Sequence, residues 1–166
     1  MKKNYFIFVF QIILSFFHPN NLMAQLPPGI FQDSVYANVE VTSNILYGGN
    51  FNHSTGVYED LLLDIYQPAD SINYLRPMLM YVHGGGFTSG SKTTDKAIDY
   101  GNYFAKRGYL VASIDYRLSI EIQGSTDDNY QSVYQATQDA KAAVRFFKKN
   151  ANDYCIDTAA FFITGT

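Results

Sequence analysis

The chain has 166 residues, of which 47% are hydrophobic and 16% are charged, a composition that excludes disordered and fibrous proteins and predicts a packed core. A net charge of -3 without a long basic run argues against a nucleic-acid partner and gives no support for attraction to a membrane surface. Cys155 is the single cysteine, which excludes an internal disulfide framework and disfavours a thiolate metal site.

The first 24 residues have the features of an export signal. Lys2 and Lys3 precede an apolar stretch over residues 5–17, and Ala24 offers a small residue for cleavage. A transmembrane anchor is the weaker interpretation because the apolar run is shorter than the roughly 20 residues that a membrane-spanning helix needs. We therefore predict a signal peptide over residues 1–24 and a secreted or periplasmic protein without a stable membrane anchor.

Two strands are predicted at the start of the remaining sequence. Alternating apolar residues indicate an antiparallel edge strand within residues 35–47, which we expect Gly48, Gly49 and Asn50 to end. The second strand covers residues 61–66 and is stopped by Pro68, because proline cannot donate to a sheet ladder. A turn within residues 52–56 would join the two strands as a hairpin.

Three short apolar runs follow, at residues 78–82, 109–114 and 159–163, and two helical stretches separate them. Such runs are typical of parallel strands that helices cover on both faces. The order strand, helix, strand, helix, strand predicts an α/β fold with a mostly parallel, doubly wound sheet and an antiparallel N-terminal edge. No linker divides residues 25–166, which we assign to one incomplete domain.

Local signals place the two helices. We expect the first over residues 95–106, with Thr93 or Thr94 as its N-cap and Gly108 just past its end. The second carries apolar residues at helical spacing from position 133 to position 147. Asp127 and Asp128 precede its expected start, and lysines at positions 148 and 149 lie where the helix dipole favours cations.

A glycine-rich segment, His83-Gly84-Gly85-Gly86-Phe87, lies where the third predicted strand ends. Consecutive glycines let the backbone turn sharply and aim bare N–H groups into a cleft. A turn without chemistry and a phosphate-binding loop are the alternatives. The phosphate loop is disfavoured because the segment has neither Gly-Lys-Ser/Thr at a helix start nor the G-x-G-x-x-G form.

At this segment the chain resembles the α/β-hydrolase superfamily, whose esterases and lipases carry an HGGG-type oxyanion loop after the third strand. The resemblance covers residues 61–166. It implies that the backbone N–H groups of Gly85 and Gly86 bind the oxyanion, and that His83 and Gly84 support the loop. His83 is disfavoured as the general base because, in this superfamily, the histidine follows both the nucleophile and the acid along the chain.

The last predicted strand ends in Gly165-Thr166, which matches the first two residues of the G-x-S-x-G elbow that holds the nucleophile in this superfamily. The resemblance implies that a serine follows Thr166 and that the acid and the histidine come later still. The 166-residue chain is then expected to be inactive, and poorly soluble because residues 161–163 would expose a strand edge and both apolar faces.

Other polar residues near the loop are assigned structural roles. Ser89 and Ser91 are disfavoured as nucleophiles because no nearby histidine can be shown to activate either hydroxyl. Asp115 is disfavoured as the acid because it would precede the nucleophile. We expect Asp115, Tyr116 and Arg117 to fix loops by hydrogen bonds and ion pairs.

The resemblance implies that the complete protein is a serine carboxylesterase that acts on a small-molecule ester without a metal or cofactor. A serine peptidase of the same fold is disfavoured, since the HGGG loop is typical of esterases and lipases. A non-catalytic binding or adhesion domain on the hydrolase scaffold stays open because fold does not fix function. A missing serine or histidine would select that alternative.

Overall fold

The computed structural model describes residues 26–70, 72–119 and 126–166, which form a five-stranded sheet with one helix on each face. The strands are β1 (Val39–Phe51), β2 (Tyr58–Pro68), β3 (Arg76–Val82), β4 (Leu110–Ile114) and β5 (Ile156–Gly165). The helices are α1 (Asp95–Ala105) and α2 (Thr126–Lys149). The predicted signal peptide, residues 1–24, lies outside the described residues.

The strands are arranged in the order β1-β2-β4-β3-β5. β2 runs antiparallel to both of its neighbours, whereas β3 pairs in parallel with β4 and β5. Four strands therefore point the same way and only β2 opposes them, so the predicted antiparallel N-terminal edge is confirmed. The carboxyl ends of those four strands meet at one edge of the sheet, which we call the carboxyl edge, and the β1–β2 turn lies there too.

The first strand is longer than predicted. Gly48, Gly49 and Asn50 continue β1 rather than end it, because they pair with β2 up to the hairpin turn. The ring of Tyr58 covers Gly49 so closely that a side chain there would collide with it. The turn itself is confirmed by a hydrogen bond of 2.8 Å from the Asn52 N–H to the Val57 carbonyl. Cross-strand packing thus outweighs the weak strand preference of glycine.

The two faces of the sheet carry separate hydrophobic clusters. On one face α2 packs Ala143 and Phe147 against alternate residues of the central strands, among them Leu63, Met80 and Ala112. On the opposite face α1 packs Ala105 against Tyr66, Leu79 and Val111. This three-layer arrangement follows from the uninterrupted apolar runs, since both sides of each central strand are buried.

The helix boundaries agree with most of the local signals. The Thr94 hydroxyl accepts the Ala97 N–H at the start of α1, and Gly108 has a φ of 92° just past its end. In α2 the prediction for the N-terminus is wrong, because the helix begins at Thr126 and so includes Asp127 and Asp128. Lys148 and Lys149 lie in its last turn as expected.

β5 forms one edge of the sheet within the described residues. Two of its apolar side chains, Phe162 and Ile163, are 52% and 58% exposed and point to opposite faces, as strand alternation requires. This is the exposure expected from the sequence. Across the described ranges no helix is long and apolar enough to span a membrane.

Candidate active site at the carboxyl edge

The glycine loop leaves β3 at Val82 and turns sharply at the carboxyl edge. Gly85, Gly86 and Phe87 have φ values of 119°, 59° and 68°, so three successive residues adopt the left-handed side of backbone space. The Gly85 carbonyl accepts the N–H groups of Thr88 and Ser89, both at 3.2 Å. Among the described residues no acceptor pairs with the N–H of Gly85 or of Gly86, which leaves both donors available to a ligand.

The end of β5 meets this loop. Gly165 pairs with Val82, and a Cβ placed on Gly84 would lie 2.6 Å from the Thr166 carbonyl oxygen. The Thr166 hydroxyl is 3.2 Å from the Tyr81 hydroxyl, within hydrogen-bonding distance. Glycine at position 84 therefore permits a close approach of two chain segments, and the residues predicted for the oxyanion loop and the elbow lie side by side.

A cleft of about 470 Å³ opens where these segments meet. Its floor is formed by loop residues including Gly86 and Phe87, and one wall is formed by Val133, Ala136 and Ala140 of α2. Small and apolar side chains on that wall leave the cleft open beside Gly86.

His83 supports the loop rather than facing solvent. Its side chain is buried, and its ring stacks on Tyr116 with centroids 4.3 Å apart and planes 15° apart. Its Nδ1 lies 2.8 Å from the Gly84 carbonyl oxygen, which can only accept, so Nδ1 carries the proton. The ring therefore packs beneath the start of the loop, between Tyr116 and the Gly84 carbonyl.

Residues 115–119, which we call the clamp segment, follow β4 and contact the glycine loop at two points and the chain that follows it at a third. Asp115 Oδ1 accepts the Lys92 N–H at 2.6 Å, and the Tyr116 hydroxyl donates to the His83 carbonyl at 2.9 Å. The Ser119 N–H donates to the Phe87 carbonyl at 2.7 Å. Burial raises the pKa of Tyr116 further above neutral pH, where the hydroxyl is a donor in any case.

The BD-FAE family model matches residues 63–166, well over half of the chain. The chain belongs to the BD-FAE family. It is 31% identical over 130 residues to carboxylesterase 1D of Mus musculus, an alignment that covers 77% of this chain and 22% of that protein. It is 29% identical over 141 residues to liver carboxylesterase of Sus scrofa, an alignment that covers 84% of this chain and 24% of that protein.

Solved esterases share the fold of this BD-FAE-family chain. Esterase 2 of Thermogutta terrifontis, phosphoramylated by tabun, superposes with a TM-score of 0.57 at 28% identity, covering 76% of this chain and 42% of that one. The butyrate-bound form of the same esterase superposes with a TM-score of 0.55 at 27% identity, and the match covers 80% of this chain and 41% of that one. The α/β-hydrolase fold predicted from the sequence is confirmed. The chain spans less than a quarter of the curated relatives and about two fifths of the solved esterases.

The serines near the loop of this BD-FAE-family chain hold its backbone. Ser89 Oγ donates to the Gly85 carbonyl at 3.1 Å, and Ser91 Oγ lies 3.0 Å from Thr93 Oγ1. Neither hydroxyl is hydrogen-bonded to a histidine within the described ranges. These contacts fit the structural roles that the sequence assigns to them.

A buried ion pair between Arg117 and Asp139, a partner not predicted from the sequence, anchors the clamp segment to α2. Arg117 Nε lies 2.8 Å from Asp139 Oδ2, and the Arg117 N–H donates to the same oxygen at 3.0 Å. The expectation that Asp115, Tyr116 and Arg117 fix loops is confirmed. The position of Asp139 on the helix could have indicated that it is buried and paired. It lies three residues after Ala136 and four before Ala143, on the stripe that faces the core.

The clamp segment is tied to β1 as well. The Tyr47 hydroxyl donates to the Asp115 carbonyl at 2.6 Å. Burial, followed by the nearby carboxylates of Asp139 and Asp115, raises the pKa of Tyr47 well above its usual value, so its hydroxyl stays protonated. In the part of the chain that the structure describes, no group of three or more His, Cys, Asp or Glu side chains is placed to hold a metal ion.

Proposed function

We propose that the complete protein hydrolyses carboxylic esters through a serine acyl-enzyme, and that the N–H groups of Gly85 and Gly86 stabilise the oxyanion. One observation carries the proposal: two adjacent glycine N–H groups, to which no described residue offers an acceptor, lie at the carboxyl edge beside the end of β5. The names of the similar proteins, carboxylesterases and an esterase, support the same reaction class.

The proposal assigns the nucleophile to a serine directly after Thr166. The close approach of Gly84 to the Thr166 carbonyl would bring that serine next to the glycine N–H groups. The serine oxygen attacks the ester carbonyl carbon, a histidine accepts the serine proton, and the carbonyl oxygen becomes an anion. The histidine then protonates the departing alcohol, and water hydrolyses the acyl-enzyme by the same steps.

The two glycine donors would contribute most when the oxyanion forms. Backbone N–H groups fixed in advance stabilise developing charge without reorganising, and loss of one such donor costs about 2.7–4 kcal/mol in typical acyl-transfer enzymes. We propose a small-molecule ester as the substrate. The mechanism uses protein groups alone, so neither a metal nor a cofactor takes part.

The test is to express the complete protein encoded by the source gene and to measure hydrolysis of p-nitrophenyl butyrate. We expect turnover that is lost when the serine after Thr166 is replaced by alanine, and no turnover by the 166-residue chain alone. Turnover that survives the serine replacement would contradict the assignment of the nucleophile. Cleavage of a peptide p-nitroanilide in preference to the ester would instead indicate a peptidase, and no turnover of either would favour a binding domain.

We also propose that the protein is exported and cleaved near Ala24, on the basis of Lys2, Lys3 and the apolar run that follows. N-terminal sequencing of the exported protein should give a start at or near Gln25. Replacing Leu14 with arginine should block export because a charge interrupts the apolar region. An exported protein that keeps Met1 would refute the proposal.

A further inference from the structure

Hydrogen bonds to the Gly85 carbonyl support the glycine loop from within, but its backbone is strained. Three successive residues have positive φ, and one of them is Phe87, for which the left-handed conformation is unfavourable because of its Cβ. Gly85 and Gly86 gain nothing from side-chain packing. Contacts from outside the loop add to this support and fix the backbone on either side of Gly85 and Gly86.

The clamp segment supplies these contacts on both sides of the two glycines. The Tyr116 hydroxyl binds the His83 carbonyl, two residues before Gly85, and the Ser119 N–H binds the Phe87 carbonyl, one residue after Gly86. Both carbonyls belong to the backbone that carries the donors. Fixing them limits rotation of the peptide units between them.

The clamp segment is itself fixed to the elements around it. Asn52 Nδ2, from the β1–β2 turn, donates to the Leu118 carbonyl at 2.7 Å. The Ser119 hydroxyl donates to the Ser132 hydroxyl of α2, and both serines are buried. Together with the Arg117 ion pair, these bonds give the clamp segment a rigid base on two sides.

We propose that Tyr116 is a positioning residue that sets the location of the Gly85 and Gly86 N–H groups relative to the developing oxyanion. This inference rests on the proposed function. Tyr116 is buried, its ring stacks on His83, and its hydroxyl reaches the backbone at the point where the loop leaves β3. Because the oxyanion exists only after attack, misplaced donors weaken transition-state binding and leave substrate binding almost unchanged.

Replacing Tyr116 with phenylalanine in the complete protein tests the inference, since the stacked ring stays and only the hydroxyl is lost. We expect kcat for p-nitrophenyl butyrate to fall about tenfold with KM within about twofold, because small displacements of catalytic groups are costly. Inhibition by a butyl boronic acid, which forms a tetrahedral adduct, should weaken by the same factor. A merely structural role would leave the ratio of the boronic acid inhibition constant to KM unchanged.

Tyr154→Phe is the matched control. Tyr154 packs near Phe147 in the core, and burial raises its pKa as it does that of Tyr116. It lies just before β5 begins, at the end of the sheet away from the glycine loop. Both kcat and boronic acid inhibition should match the wild-type protein.

Ser119→Ala is a second variant, which provides a test even if the Tyr116→Phe protein does not fold. It keeps the N–H to Phe87 and removes the hydroxyl, which donates to Ser132 and accepts from Gln135 Nε2. We therefore expect kcat to fall about threefold, again without a change in KM. Unchanged kcat in a folded Tyr116→Phe protein, or in Ser119→Ala if the first variant does not fold, would overturn the inference alone. A wild-type protein without ester turnover would overturn the proposed function and this inference together.

Discussion

Replacing Gly85 with alanine should lower kcat for ester hydrolysis by about 10²–10³-fold, the effect of losing one oxyanion donor. Gly85 has a φ of 119°, and an added Cβ would overlap the Ser89 carbonyl oxygen and approach the Ser89 hydroxyl to 2.8 Å. The backbone oxygen cannot move aside as a flexible side chain could. The loop must therefore shift, and the Gly85 and Gly86 N–H groups leave their positions.

Gly56→Ala provides the control for backbone strain. Gly56 also has a positive φ, 68°, but it lies in the β1–β2 turn with no atom within 4 Å of an added Cβ. Its replacement should cost roughly 1–2 kcal/mol of stability through the left-handed conformation and leave kcat unchanged. The measurements are kcat at saturating substrate and the thermal midpoint. A folded Gly85→Ala protein with wild-type kcat would remove Gly85 from the proposed oxyanion site.

The sequence predicts the parts of this site that depend on local pattern. The buried strands under the loop follow from short apolar runs, and the sharp turn follows from consecutive glycines. The sequence narrowed the N-cap of α1 to Thr93 or Thr94, because either hydroxyl could accept an N–H in the first turn, and the structure selects Thr94. Each of these signals is contained within a few neighbouring residues.

The contacts that hold the site were not predictable in the same way. Phe87 has a positive φ, and its carbonyl accepts the Ser119 N–H from 32 positions later in the chain. Lys92 Nζ lies 3.1 Å from Asp64 Oδ1, a buried ion pair between a loop and β2. Such pairs depend on how distant segments are brought together by the fold. A polar residue on a core-facing stripe indicates that a partner exists, but does not identify it.

Replacing Asp139 with alanine should destabilise the complete protein by about 3–5 kcal/mol, the usual cost of removing one partner from a buried ion pair. Asp139 is 2% exposed and Arg117 is 5% exposed, so water cannot replace the carboxylate. The variant leaves the Arg117 guanidinium without its counter-charge and the Arg117 N–H without its acceptor. Urea unfolding of the wild-type and variant proteins gives the difference in the free energy of unfolding.

Asp127→Ala is the matched control because Asp127 is an exposed acid on the same helix. Its loss removes only a favourable charge near the helix N-terminus, which is worth about 0.3–1 kcal/mol.

The double variant Arg117→Met with Asp139→Leu separates the loss of the ion pair from the burial of an unpaired charge. Removing both charges avoids an isolated guanidinium in the core, and such replacements are often neutral in stability. We expect the double variant to recover at least half of the stability lost in Asp139→Ala, although the bonds from Arg117 to the Phe51 and Gln135 carbonyls are also lost. A double variant less stable than Asp139→Ala would show that those carbonyl bonds, rather than charge compensation, dominate the contribution of Arg117.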